Sequence, residues 1–218
     1  MDYRYFVVYK PYGMLSQFSG EEDTLAALGD FPSDVYPVGR LDKDSEGLLL
    51  LTNDNKLNHL LLDPLHGHER TYWVQVEGDI SEEALRQLRQ GISITIKGKP
   101  HQTSRASVNS HPDAESELPA RVPPIRYRKN VPDSWIALSL KEGKNRQVRR
   151  MTAAVGFPTL RLVRWAIESL TIQGFQPGEV RSLEQEEIYE FLKIPLLING
   201  ASQGKKPKFH PERNKRRF

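Results

Sequence analysis

The chain has 218 residues, a formal net charge of +3, six histidines and no cysteine. Its length suits one large domain or two small ones with a real hydrophobic core. The lack of cysteine excludes disulfides, thiol catalysis and thiolate metal sites. The N-terminus has no apolar segment like that of a signal peptide, and no apolar run approaches the length of a membrane span, so we expect a cytoplasmic protein. The histidines show no metal-ligand spacing, and we expect no metal site.

Taken in chain order, the hydrophobic pattern predicts short strands followed by single helices. Strands are predicted where aromatic, β-branched or alternating apolar residues occur, at 5–9, 48–52, 71–77, 92–96, 134–140 and 170–172. Helices are predicted between capping residues and stop signals, at 24–28, 54–64, 81–91, 145–155 and 182–192. Residues 109–124, rich in proline, serine and acids, are predicted to be a loop. Because βαβ alternation is not regular, the pattern favours an α+β fold with a mixed, largely antiparallel sheet.

Positive charge is gathered in two regions. Residues 121–164 hold eleven Lys or Arg and two acids, and residues 203–218 hold seven Lys or Arg and one acid, so the rest of the chain is acidic. A localised basic surface indicates a phosphate backbone as partner, with an ordinary solvated face as the alternative. From about residue 199 the chain has no periodic apolar residues, and we expect a disordered basic tail.

The most informative stretch is 39–54. Residues 39–47 read Gly-Arg-Leu-Asp-Lys-Asp-Ser-Glu-Gly, and four leucines and Thr-Asn-Asp follow. The leucine run suits a strand buried on both faces. Asp42 therefore lies at the entrance to the core, where a carboxylate without a partner is unfavourable. On these residues alone, a polar turn before a strand is an equally good interpretation.

The basic segment at 142–151 lies within the first basic region and can be placed on the predicted helix. Setting Val148 at zero puts Met151 and Val155 on the core face. Arg149 then lies at the margin of that face, where its stem can follow the core and its guanidinium can sit in a half-buried cleft. On the same wheel Arg146 and Arg150 point away from the core face. The alternative is an ordinary amphipathic helix with a solvated basic face.

Three segments together resemble the ribosomal RNA pseudouridine synthases of the RsuA group. They are the stretch at 39–54, Lys-Pro-Tyr-Gly at 10–13, and Glu-Gly-Lys-Asn-Arg-Gln-Val-Arg-Arg-Met at 142–151. The resemblance runs in order from about residue 5 to about residue 193. The first motif begins so near Met1 that we expect no N-terminal S4 domain. The chain is thus most similar to the short RluE type, which modifies large-subunit ribosomal RNA.

The resemblance implies the pseudouridine-synthase fold, with two subdomains sharing one sheet around a central cleft. These would span residues 1–198, followed by the basic tail at 199–218. It implies an enzyme that converts a specific uridine of 23S ribosomal RNA to pseudouridine. This isomerisation involves no redox change or phosphoryl transfer, so we expect no cofactor. We expect a monomer whose partner is ribosomal RNA, free or in an assembling large subunit, with no membrane partner.

Catalytic roles carry over by motif. The resemblance makes Asp42 the nucleophile and Arg149 the arginine that pairs with it. A guanidinium within about 4–6 Å favours the charged form of a carboxylate. Tyr72 matches the family's active-site tyrosine, which would stack on a flipped-out uracil. The alternative for Tyr72 is a core tyrosine with its hydroxyl at the rim.

The remaining expected contacts are with RNA. Arg40 is expected to fill the stack vacated by the flipped nucleotide, and Leu41 and Leu162 are expected to line the uracil pocket. The basic residues expected to bind RNA are Lys10, Lys144, Arg146, Arg150, Arg161 and Arg164. For Lys10 a structural salt bridge is the alternative.

Two other function classes compete with this interpretation. A non-catalytic ribosomal RNA-binding or ribosome-assembly protein would use the same basic surface but would have no use for Asp42 inside it. A phosphatase of the paired-aspartate type would require magnesium and a hydrophobic strand before Asp42, whereas here the hydrophobic run follows it.

Overall fold

The computed structural model describes residues 2–21, 23–126 and 131–196. The expected basic tail at 199–218 lies outside the described residues. In chain order the elements are β1 (Tyr5–Lys10), a 3₁₀ helix (Leu25–Leu28), β2 (Tyr36–Pro37), β3 (Glu46–Thr52), α1 (Asn55–Leu62), β4 (Arg70–Glu77), α2 (Glu82–Gln90), β5 (Ser93–Ile96), β6 (Lys99–Gln102), β7 (Ser107–Ser110), α3 (Ala114–Glu117), β8 (Asp133–Leu140), α4 (Gln147–Ala154), β9 (Thr159–Ile167), β10 (Leu170–Thr171), β11 (Val180–Leu183) and α5 (Gln185–Phe191).

The described strands form one nine-stranded sheet and a separate hairpin of β5 and β6. The main path of the large sheet runs β11-β1-β3-β9-β4-β8-β7, with β2 added to β3 and β10 added to β9. Strands β3 and β9 pair in parallel, and the other strand pairs described are antiparallel. The predicted α+β class with a mixed, largely antiparallel sheet is confirmed.

Strand β3 explains the leucine run. Leu48 and Leu50 belong to a buried cluster that includes residues of α1, α3 and α5. Leu49 and Leu51 point to the other face and join Leu25 of the 3₁₀ helix. A strand covered on both faces is apolar throughout and does not alternate. The predicted two-sided burial of this strand is therefore confirmed.

A third cluster fixes the other half of the sheet. It packs apolar residues of β4 and β8 against α2 and α4, including Val74, Val76, Leu85 and Met151. Helix α4 thus uses the core face that the helical wheel predicted. No helix in the described part of the chain is long and apolar enough to cross a membrane.

Some predicted boundaries were wrong. The chain stays extended through β11, so α5 begins two or three residues later than predicted, with a capping box of Glu184 and Glu187 in place of Ser182 and Gln185. Residues 109–124 include the end of β7 and the short helix α3. The long central strand β9 was not predicted, because Arg161 and Arg164 interrupt its apolar pattern.

Candidate active site

A cleft of about 700 Å³ lies beside the point where β3 meets β9. Its walls are the loop that carries Asp42, the strand that carries Tyr72, the segment before α4, and β9. The residues predicted for the site that line this cleft are Arg40, Leu41, Asp42, Tyr72, Lys144, Arg146, Leu162 and Arg164. The structure therefore brings together residues that are more than 100 positions apart in the sequence.

The meeting of β3 and β9 depends on a glycine. The two strands pair at only two positions, Glu46 with Val163 and Gly47 with Arg164. Gly47 has a φ of +104°, and a Cβ there would lie 2.8 Å from the Arg164 amide nitrogen and closer still to its carbonyl oxygen. Only glycine fits such a conformation at such a distance. Gly47 thereby joins the stretch at 39–54 to the strand that follows the motif at 142–151.

The main chain around Asp42 is fixed on both sides. The buried Ser16 hydroxyl donates to the carbonyl oxygen of Leu41 at 2.8 Å, and the Leu41 amide donates back to it at 3.0 Å. The Ser45 amide donates to the carbonyl oxygen of Asp42 at 3.0 Å, closing a tight turn. The Asp42 side chain itself is about one-third exposed. A fixed backbone thus presents a solvent-accessible carboxylate to the cleft.

Lys10, which was predicted to bind RNA, lies buried beneath this loop. It is 0% exposed, and its ammonium donates to the carbonyl oxygens of Met14 at 2.8 Å, Pro11 at 2.9 Å and Lys43 at 3.5 Å. Burial lowers the pKa of Lys10 to about 8, and the nearby carboxylate of Glu46 is the main opposing effect. Lys10 therefore ties the turn at 11–14 to the Asp42 loop.

Arg146 makes the closest ion pair described for Asp42. Its guanidinium binds both carboxylate oxygens of Asp44, at 2.7 and 2.9 Å, and lies 3.7 Å from Asp42. The hydrogen bonds from Arg146 hold the pKa of Asp44 below its usual value. Arg146 precedes α4 in a left-handed conformation, with φ 49° and ψ 35°. The helical wheel treated Arg146 as a helical residue that points away from the core face, whereas it precedes the helix and lines the cleft.

Arg149 pairs with the neighbouring acid, and its predicted ion pair with Asp42 is corrected accordingly. Its Nε lies 3.4 Å from the Asp44 carboxylate, and its Nη2 donates to the Asp44 carbonyl oxygen at 2.5 Å. The side chain is only 12% exposed. Burial lowers the pKa of Arg149, with Asp44 as the main opposing charge. The sequence predicted a partly buried guanidinium at Arg149, and it is present. Its carboxylate partner is Asp44, two residues after the expected Asp42.

Two further residues of the third motif anchor the hairpin of β5 and β6. Arg150 donates to the carbonyl oxygen of Thr95 at 2.7 Å. Glu142 accepts from the His101 ring at 3.0 Å, from the Ser104 amide at 2.8 Å and from Gln147 at 2.6 Å. Arg150, predicted to bind phosphate, is thus engaged in fixing the hairpin. No role was predicted for Glu142, because His101 and Ser104, two of its partners, come from a distant segment.

Arg161 and Arg164, both predicted to bind RNA, are buried, so neither presents an exposed charge to a phosphate. Each is 5% exposed. Arg161 forms a two-bond ion pair with Glu46, at 2.9 and 2.8 Å, on the face away from the cleft. Arg164 donates from Nε to the carbonyl oxygen of Leu48 at 2.7 Å and lines the cleft. Alternation along β9 separates the two side chains.

The remaining predicted residues line the cleft. Tyr72 is half-buried, packs beside Val74 and Val76, and faces Arg164 across the strand pair. Leu41 and Leu162 are buried in the wall, whereas Arg40 and Lys144 are exposed at the rim. The floor is therefore apolar and aromatic, and the rim is basic.

The family model for RNA pseudouridylate synthase matches residues 4–154. The chain belongs to this family. It is 51% identical over 176 residues to "ribosomal large subunit pseudouridine synthase E" of Xanthomonas campestris, over 79% of this chain and 91% of that protein. It is 34% identical over 187 residues to "ribosomal large subunit pseudouridine synthase B" of Bacillus subtilis, over 84% of this chain and 69% of that protein.

A solved structure supports the same assignment. The crystal structure of a pseudouridylate synthase superposes with a TM-score of 0.70 at 28% identity, over 87% of this chain and 74% of that one. The resemblance to RsuA-group enzymes of the RluE type and the pseudouridine-synthase fold are both confirmed. The chain is accordingly an RNA pseudouridine synthase.

The basic side chains around the cleft of the synthase differ in how deeply they are buried. Lys10 and Arg164 are buried, Arg149 is mostly buried, and Arg146 is exposed beside Asp42 and Asp44. Such a site can hold a negatively charged carboxylate at the mouth of an apolar pocket. In the part of the chain that the structure describes, no group of three or more His, Cys, Asp or Glu could hold a metal ion.

Proposed function

We propose that this synthase isomerises a uridine of large-subunit ribosomal RNA, with Asp42 as the nucleophile. The observation that carries the proposal is the geometry of Asp42: a partly exposed carboxylate on a fixed turn, 3.7 Å from a guanidinium, at a cleft lined by Tyr72 and Leu162. The names of the relatives, which refer to the large ribosomal subunit, support the choice of RNA.

The chemistry needs only a nucleophile and a held base. An Asp42 carboxylate oxygen attacks C1′, and the C1′–N1 bond breaks with its electron pair passing to the uracil ring. The uracil ring then turns in place. C5 forms a bond to C1′, and the ester bond between C1′ and the Asp42 oxygen breaks, with its electron pair returning to Asp42. The C5 proton then leaves and N1 gains a proton. Product and substrate contain the same atoms, so the sequence of steps is balanced.

The target nucleotide must leave the RNA stack to reach Asp42, because the carboxylate lies inside a cleft. The uracil ring would stack on Tyr72 and contact Leu41 and Leu162 in the wall. Arg40, exposed beside Asp42 at the rim, is suited to fill the vacated position in the RNA. Lys144, also exposed at the rim, is placed to contact phosphates.

The nucleophile assignment is tested with a matched pair of variants. Asp42→Asn keeps the shape of the side chain and removes its nucleophilicity, so it should abolish tritium release from C5-labelled uridine RNA while RNA affinity stays within a few-fold. Asp44→Asn, two residues away and also paired with Arg146, should retain measurable tritium release. Full release by Asp42→Asn would refute the assignment. A non-catalytic RNA-binding protein would bind the RNA and release no tritium in any form.

The RNA target has its own experiment. Pseudouridines would be mapped in ribosomal RNA from cells that lack this chain and from cells that carry it. Loss of one large-subunit pseudouridine, restored by the wild-type chain and not by Asp42→Asn, is expected. An unchanged large-subunit map would refute the proposed target.

A further inference from the structure

Arg164 has a buried donor without a partner. The guanidinium is fixed at one end, where Nε donates to the Leu48 carbonyl oxygen at 2.7 Å. Its Nη2 is fully buried and has no hydrogen-bond partner among residues 2–21, 23–126 and 131–196. A buried donor left unpaired is unfavourable, and most such groups in native proteins are paired. An unpaired cationic donor on a cleft wall therefore indicates an acceptor supplied from outside the chain.

Arg161 shows that the strand can satisfy a buried arginine when the role is structural. It is as deeply buried as Arg164, but it binds both oxygens of Glu46 and the carbonyl oxygen of Pro119. Arg164 faces the cleft, opposite Tyr72 across the strand pair. Burial lowers the pKa of Arg164, and the Tyr72 phenol opposes this through its charge and a hydrogen bond to the guanidinium, so Nη2 is the donor that is left without a partner.

The chemistry of the acceptor follows from the donor. Arginine offers only donors, so its partner in the cleft must be a carbonyl or a negatively charged oxygen. Uracil carries two carbonyl oxygens, O2 and O4. The turn that exchanges N1 with C5 is a half-rotation about the axis through C6 and N3, and it also exchanges O2 with O4. A donor fixed at one point can therefore bind a carbonyl oxygen before and after the turn.

We propose that the Arg164 guanidinium, which lines the cleft, binds the uracil ring through one carbonyl oxygen in the first orientation and through the other in the second. This inference rests on the proposed isomerisation. When the C1′–N1 bond breaks, its electron pair is shared among N1, O2 and O4, and the guanidinium stabilises the charge on the oxygen it holds. Arg164 is on this basis a catalytic residue that both holds and stabilises the departing base.

The test replaces each carbonyl oxygen with sulfur, a weaker acceptor. Single-turnover pseudouridine formation would be measured on RNA whose target residue is uridine, 2-thiouridine or 4-thiouridine. With the wild-type chain, each sulfur should slow the reaction by about 10-fold or more, the effect of weakening a hydrogen bond from a charged donor. Arg164→Gln and Arg164→Lys should be slower on uridine, and each sulfur should then slow them by no more than about threefold.

The control is Glu46→Gln combined with Arg161→Gln, which removes a buried arginine from the opposite face of the same strand. Its sensitivity to sulfur should equal that of the wild-type chain. Sulfur effects of equal size in the wild-type chain and in the folded Arg164 variants would overturn the proposal, as would a wild-type chain indifferent to both substitutions. If only one of the two sulfur substitutions lost its effect in the Arg164 variants, the claim that the donor serves both orientations would be overturned. Failure of the wild-type chain to modify unsubstituted RNA would refute the proposed function, and this inference with it.

Discussion

Lys10 makes the folding stability of this chain depend on pH in an unusual direction. Burial lowers its pKa to about 8 in the folded chain, whereas the pKa of a lysine in the unfolded chain is about 10.4. Between these values the unfolded chain binds more protons than the folded chain, so the free energy of unfolding rises with pH. Below pH 8 both states carry the charge, and the folded chain bears the full unfavourable effect of burying it.

The expected size follows from the two pKa values. One pKa unit corresponds to about 1.36 kcal/mol, so Lys10 should add about 1.5 kcal/mol to the free energy of unfolding between about pH 8.0 and 9.5. The window ends there because Tyr5, Tyr9 and Tyr189 have raised pKa values in the folded chain. A raised tyrosine pKa acts in the opposite sense as the pH passes the unfolded value of about 10.

The assay is urea unfolding of the wild-type chain and of Lys10→Met at both pH values. Lys10→Met leaves the carbonyl oxygens of Pro11 and Met14 without this donor and should be less stable at pH 8.0. In Lys10→Met the free energy of unfolding should not show the increase with pH that Lys10 causes. The difference in this free energy between the two proteins should therefore grow by about 1.5 kcal/mol between pH 8.0 and about pH 9.5. Lys56→Met, at an exposed position in α1, serves as the control and should follow the wild-type chain. A parallel pH dependence in Lys10→Met would refute the reasoning.

Three further changes test the supports of the site. Gly47→Ala should destabilise the fold by more than about 1 kcal/mol in thermal unfolding, whereas Gly98→Ala, also at positive φ but with nothing within 4 Å of the added Cβ, should cost less. Asp54→Ala removes the cap of α1 and the acceptor of the Tyr5 and Tyr189 hydroxyls, so urea unfolding should show a loss of about 3 kcal/mol. Arg149→Ala should lower the single-turnover rate far more than RNA affinity, because Arg149 holds the carbonyl oxygen of Asp44; a loss confined to affinity would contradict this.

The sequence predicted those elements whose burial or capping depends on residues within the element or next to it. Four consecutive leucines require burial on both faces, and Asp54 caps α1 with its own carboxylate. The motif order also predicted that Asp42, Tyr72 and the segment before α4 would share one cleft. These conclusions need no knowledge of distant contacts beyond the family resemblance.

Distant contacts explain what was missed. Strand β9 contains two arginines, and their burial depends on Glu46 and on the Leu48 carbonyl oxygen, both more than 100 residues away. Lys10 is buried because three carbonyl oxygens converge on it, which no periodicity reveals. Arg146 has a left-handed conformation that a helical wheel cannot represent. Charge in a sequence therefore predicts a basic protein better than it predicts which charges reach the surface.

That difference in depth bears on how the site can accept RNA. Lys10 and Arg149 interact electrostatically with Asp42 and Asp44. Main-chain carbonyl oxygens hold both cations, so neither can move away without breaking those hydrogen bonds. Arg146 is exposed, and its partner Asp44 also contacts Arg149. If an RNA phosphate draws Arg146 away, two cations stay beside the acids, so their charge remains compensated while the rim binds the backbone. The exposed arginine is thus free to exchange partners because the buried cations are not.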